Sequence, residues 1–64
     1  MPHFEKDSRK IRSLLIKDGF ELVGSRGSHQ KFRKDGRTVV LPHPKKDLPH
    51  GTVRSIYRQA GWIK

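Results

Sequence analysis

The chain has 64 residues, 15 Lys and Arg against 6 Asp and Glu, a formal net charge of +9, and no cysteine. A chain this short holds one core of marginal stability and no second domain, and without cysteine it has neither disulfide staples nor thiolate metal sites. So large a positive surplus on so small a surface attracts polyanions, nucleic acid foremost. No basic helix carries the long apolar face that binding to a membrane surface needs.

The opening residues, Met1-Pro2-His3-Phe4-Glu5, lack the apolar run behind a positive start that marks a secretory signal. No stretch approaches the roughly 20 apolar residues of a membrane span. The expectation is a soluble, cytoplasmic chain forming a single domain over residues 1–64, with no membrane partner.

A first helix is predicted from Asp7 or Ser8 as N-cap, with Ile11, Leu14 and Leu15 on one apolar stripe and a stop at Asp18-Gly19. Arg9, Lys10, Arg12 and Lys17 are left to solvent. From Phe20 the period changes, and Phe20 and Leu22 alternate with Glu21 as in a half-buried strand running to Gly24. Ser25-Arg26-Gly27 reads as a turn, and a second strand is expected from Ser28 to Lys34. Asp35-Gly36 is a strong two-residue hairpin signal. The β-branched Thr38, Val39 and Val40 place a third strand over Arg37 to Leu41, ended by Pro42 and Pro44. A basic, proline-punctuated loop leads to a last helix from Gly51 to Ala60, in which Val53, Ile56, Tyr57 and Ala60 recur at helical spacing. Gly61 closes it, leaving Trp62 and Ile63 to fold back as apolar cover.

The order α-β-β-β-α implies an α+β fold. Three antiparallel strands form a meander with one apolar face, and two amphipathic helices cover that face in a two-layer sandwich. Double-stranded-RNA-binding domains share this order, a likeness of fold and not of function.

Phe32 is the only large apolar residue of the second strand, so its face should point at the helices. Alternation then sets His29, Lys31 and Arg33 together on the open face. Two fixed cations can hold phosphates while an imidazole exchanges a proton near neutral pH. With RNA the proton is that of the 2′-OH, which attacks the neighbouring phosphorus without a metal or other cofactor; DNA lacks that group. By itself, an exposed histidine on a basic strand is most often an ordinary surface residue. His3, His43 and His50 show no metal-ligand spacing and remain unassigned, and Ser28 next to His29 is no nucleophile signature.

Gly27-Ser28-His29, then Thr38 to Pro44 (TVVLPHP) and Gly51 to Gly61 (GTVRSIYRQAG), with the Lys17-Asp18-Gly19-Phe20 step, resemble the HicA mRNA interferase toxins. The resemblance runs from Ser8 to Ile63. It implies a double-stranded-RNA-binding-domain-like fold and the toxin of a type II toxin–antitoxin pair, an endoribonuclease that cleaves mRNA and is neutralised by a HicB antitoxin. It makes His29, in the Gly-Ser-His motif, the catalytic histidine. Lys31, Arg33 and Arg26 would position RNA phosphates, while Gly27 and Ser28 serve the turn and the start of the strand. Many family members carry a second histidine directly after the first. Here that residue is Gln30, which the strand reading puts on the far face. The alternative is a non-catalytic RNA-binding module using the same basic face.

Overall fold

A computed structural model describes residues 4–64; His3 and the other two residues before Phe4 lie outside the described residues. The first helix, α1 (Ser8–Lys17), starts where the Asp7 carboxylate accepts the Arg9 N–H at 2.9 Å, satisfying one of the free amides of the first turn. It ends in a Schellman motif. Gly19 takes φ +101° and donates to the Ile16 carbonyl at 3.0 Å, and Phe20 donates to Leu15 at 2.9 Å. The buried stripe is Ser8, Ile11 and Leu15, whereas Leu14 lies at its margin and is 42% exposed. The core face is therefore centred one position away from the expected one.

Three strands follow, β1 (Glu21–Arg26), β2 (His29–Lys34) and β3 (Arg37–Pro42), in an antiparallel sheet of order β1-β2-β3. The second turn is as expected. Asp35 (φ 48°) and Gly36 (φ 81°) both have the positive φ of a type I′ turn, whose twist matches that of the strands it joins. The first turn is shorter and later than the sequence suggests. Ser25 and Arg26 belong to β1, and only Gly27 (φ 58°) and Ser28 form the turn. A bulge makes the extension possible: Leu22 pairs with Phe32 and Gly24 with Lys31, leaving Val23 as the extra residue.

The helices lie over one face of the sheet. The second helix, α2 (His50–Gln59), buries Val53 and Ile56, and its Gln59 side chain accepts the Val40 N–H at 3.2 Å. Phe32, Val39, Leu41, Ile11, Leu15, Phe20, Val53 and Ile56 make the core, together with Leu48 from the loop before α2. Leu48 is placed by its N–H donating to the Lys6 carbonyl at 2.9 Å, which clasps this loop to the segment preceding α1. A second Schellman motif ends α2: Gly61 (φ 80°) donates to Arg58 and Trp62 to Tyr57, each at 3.0 Å. Trp62 then packs edge-on against Tyr57, with ring centroids 5.0 Å apart, and Phe4 covers the other side of that ring at 4.7 Å.

Asp18 ties the two ends of the helical layer to the sheet. Its carboxylate accepts the Trp62 indole N–H at 3.0 Å and the Lys34 ammonium at 3.2 Å. The indole hydrogen bond first, and then the Lys34 ammonium, hold its pKa below the ordinary carboxylate value. The charged carboxylate therefore favours the fold at neutral pH. That contribution is complete above the unfolded value of about 3.9 and fades as pH falls through the lower folded value. Asp18→Asn should leave a shallower loss of Tm between about pH 5 and pH 2 than the parent shows; identical slopes in a pH series of thermal melts would refute the clasp. Ile56, 2% exposed, is a second test. Ile56→Asp leaves a cavity and buries an unpaired charge, at a cost of at least about 3 kcal/mol, enough to abolish a cooperative melt in so small a domain.

Candidate functional site

The sheet face away from the helices is open. Strand register arranges its residues in three rows, each taking one residue from β1, β2 and β3. Arg26, His29 and Pro42 form the row beside the first turn. Gly24, Lys31 and Val40 form the middle row, and Glu21, Arg33 and Thr38 the last. The buried Phe32 fixes this assignment. The alternation of β2 then leaves His29, Lys31 and Arg33 exposed and turns Gln30 and Lys34 inward.

Arg26 and His29 are thus a directly opposed pair closing a two-residue turn. A shallow hollow of about 340 Å³ opens beside them, lined by Arg26, His29 and Lys31 with Val23, Gly24, Ser25, Gln30 and Val40. Arg33 does not line it; it stands in the last row across from Glu21. Among the described residues, Arg26, Lys31 and Arg33 make no ion pair, the two pairs formed being Arg9–Asp7 and Lys34–Asp18. Their charge is available to an incoming anion. His29 likewise makes no side-chain hydrogen bond among the described residues.

Gln30 points to the helical side, where its amide oxygen accepts the Arg12 guanidinium at 3.3 Å. Ser28 is a turn residue, so strand alternation does not apply to it. Its carbonyl accepts the His43 N–H at 2.7 Å, carrying the β2–β3 pairing one step past the register pair His29–Pro42.

The other described histidines are placed structurally. His43 Nδ1 lies 2.9 Å from the hydroxyl of Ser8, which is fully buried at the start of α1. That hydroxyl accepts the Lys45 N–H at 2.8 Å, so its own proton is free to go to Nδ1, while the Ser8 N–H donates to the Lys45 carbonyl at 2.8 Å. His50 opens α2, its ring stacked near Phe4 with centroids 6.1 Å apart. No group of three or more His, Cys, Asp or Glu gathers as a metal site among the described residues.

A larger concavity, about 470 Å³, lies on the helical side between Phe4, Leu14, Tyr57 and Trp62. It is apolar, and the one carboxylate on its rim, Asp18, is already held by Trp62 and Lys34. The groups able to do chemistry lie on the shallower sheet face. The sequence reading missed the apolar part of that face. Val40 follows from alternation once Val39 and Leu41 are assigned to the core. The Val23 bulge has only one sequence sign, a glycine inside a strand.

An α-β-β-β-α sandwich whose open sheet face gathers a histidine and cations that form no ion pair among the described residues defines a small basic α+β protein. The family model described as the HicA toxin of bacterial toxin-antitoxin systems matches residues 8–62. That span covers nearly the whole chain, and the chain belongs to this family. It is a toxin of a toxin–antitoxin system, which makes an antitoxin its kind of partner. No curated protein matches the chain.

The Ser8 anchor holds His43, and through it the Ser28 end of the first turn. Ser8→Ala leaves the His43 ring nitrogen and the Lys45 amide without their partner and should cost about 1–3 kcal/mol in urea unfolding. An unchanged midpoint would show that the anchor is dispensable.

Proposed function

We propose that the protein is an endoribonuclease that cleaves mRNA and needs no metal ion, with His29 as general acid or base. The observation that carries this reading is the opposed pair Arg26–His29, with Lys31 in the next row, on an open face free of ion pairs among the described residues. An imidazole beside two unpaired cations suits a phosphodiester. The cations hold phosphate oxygens and stabilise the charge that gathers on them during displacement. As base, His29 accepts the 2′-OH proton; the 2′ oxygen bonds to phosphorus and the bond to the 5′ oxygen breaks. The products are a 2′,3′-cyclic phosphate and a 5′-OH end. As imidazolium, the same ring can instead deliver the proton that the departing 5′ oxygen takes up. Arg33, one row further out, would take a neighbouring phosphate of the same strand. Gly27 and Ser28 set the turn that aims His29.

The whole chain acts as one domain in this reading, in the cytoplasm, where cleavage of mRNA stops translation and growth. The antitoxin is of the HicB type and lies across the open face, with acidic side chains against the cations, an arrangement that favours fast and specific association. Membership of the HicA toxin family supports both points.

His29→Ala removes a side chain with no hydrogen-bond partner among the described residues, so the variant should fold as the parent does and still bind RNA. Cleavage should fall by about 10²–10⁴-fold. The parent should cleave equally well with excess chelator and leave 5′-OH ends. Undiminished cleavage by the variant would falsify the role of His29, and loss of cleavage on chelation would refute the metal-independent route.

A further inference from the structure

The hollow beside His29 is only partly cationic. Its remaining lining includes two valines that point away from the core: Val23 is 54% exposed and Val40 39% exposed. Both sit on the face that holds the free charge. Gly24 follows Val23 on β1, and in the middle row Lys31 stands between Gly24 and Val40. A glycine inside a strand costs about 0.5–1 kcal/mol relative to alanine, and it is usually retained for a positive φ, a bulge or the close approach of another group. Gly24 is not among the positive-φ residues, and a Cβ built on it would meet nothing within 4 Å. Backbone conformation and internal packing therefore both leave room for a side chain. Val23 and Gly24 together stand opposite Lys31 in the bulge, and Val23 shows that the first of these two positions accepts a β-carbon.

We propose that this gap is a seat for one unpaired nucleobase next to the scissile phosphate, with Val23, Val40 and the stem of Lys31 as its apolar surroundings and Gly24 as its open floor. The occupant has to combine an anionic backbone with a flat, weakly polar body, because Arg26 and Lys31 flank the gap with charge while the valines offer only apolar surface. A nucleotide of single-stranded RNA meets both demands at the spacing of one residue. A paired base is stacked and cannot enter. The seat thus favours unstructured RNA over duplex and helps fix which phosphate lies against His29. The proposal rests on RNA as the substrate, and it adds a subsite that the catalytic reading does not contain.

The test measures binding in the His29→Ala background, where the RNA stays intact. The probes are a fluorescent single-stranded hexaribonucleotide and a set of the same oligomer with an abasic ribose at each position in turn. Charge is constant across the set, so any difference reports the base. One position should stand out, with affinity lowered roughly tenfold, as expected for loss of a modest apolar contact. Gly24→Val fills the gap without demanding a new backbone conformation. It should bind the intact oligomer roughly tenfold more weakly and lose its sensitivity to base removal. Gly24→Ala should do so to a smaller degree, and Val40→Thr, equal in shape but polar, should also weaken the base-dependent part. Folding of each variant is checked by its thermal melt, and Gly24→Ala carries the test if the valine variant does not fold. Equal abasic sensitivity in the Gly24 variants and their parent overturns the seat, as does failure of the intact oligomer to bind at low salt. Cleavage is assayed separately with the unsubstituted protein. A base-dependent seat without cleavage would overturn the nuclease reading alone, and cleavage with base-indifferent binding would overturn the seat alone.

Discussion

Phe32 is fully buried against Leu41, Val39 and the helices, and it is the only large apolar side chain that β2 offers to the core. Because side chains alternate along a strand, a one-residue slip of β2 would bring Phe32 into solvent and drive Lys31 and Arg33 into the core. Both consequences are prohibitive, so burial of one aromatic ring settles the facing of the whole strand. The open face inherits His29, Lys31 and Arg33 as the complement of that choice. Position along the strand is pinned at the ends, by the two-residue turn at Gly27-Ser28 and by the type I′ turn at Asp35-Gly36. What packs and what could react are thus two readings of the same alternation.

The rest of the molecule supports this strand from both sides. On the helical side Gln30 engages Arg12, and Lys34 reaches Asp18, so even the inward polar residues of β2 have partners. At the turn end, His43 joins the Ser28 carbonyl to the buried hydroxyl of Ser8, linking the first helix to the hairpin across the sheet edge. A chain of this length buries few side chains, and each polar contact of this kind helps hold an arrangement that apolar area alone would leave loose.

Much of this was legible in the residues. The stop at Asp18-Gly19, the Asp35-Gly36 turn, the inward Phe32 and the apolar stripe of α2 each follow from one strong local preference, and no tertiary contact overrides them. The departures share a different cause. Ser25 and Arg26 carry turn-forming composition, yet pairing with Gln30 and His29 draws them into β1. Leu48 lies in a segment with no periodicity, and its place in the core is accompanied by a hydrogen bond to Lys6, far away in sequence. Leu14 has the spacing of a core residue, but where the helix axis sits over the sheet decides which side of the stripe is covered. The Ser8–His43 contact spans 35 positions and has no local signature. The exposure of Lys31 and Arg33 follows from alternation, whereas Arg26 reads locally as a turn residue, and its direct opposition to His29 depends on a bulge whose one sequence sign is the glycine inside β1.

His29 stands on the surface and bonds to nothing within the described chain, and this bears on how such a protein changes over generations. A group woven into the core cannot be altered without unfolding its host, but an exposed and unbonded ring can be replaced at almost no thermodynamic cost. On the role proposed for His29, selection against a harmful activity would have an easy exit, a single substitution that silences the protein and leaves its shape intact. Such a copy would keep its fold, and with it the surface it offers to an antitoxin. In a population, loss of potency and loss of the protein would then be separate events, the first reached far more readily than the second.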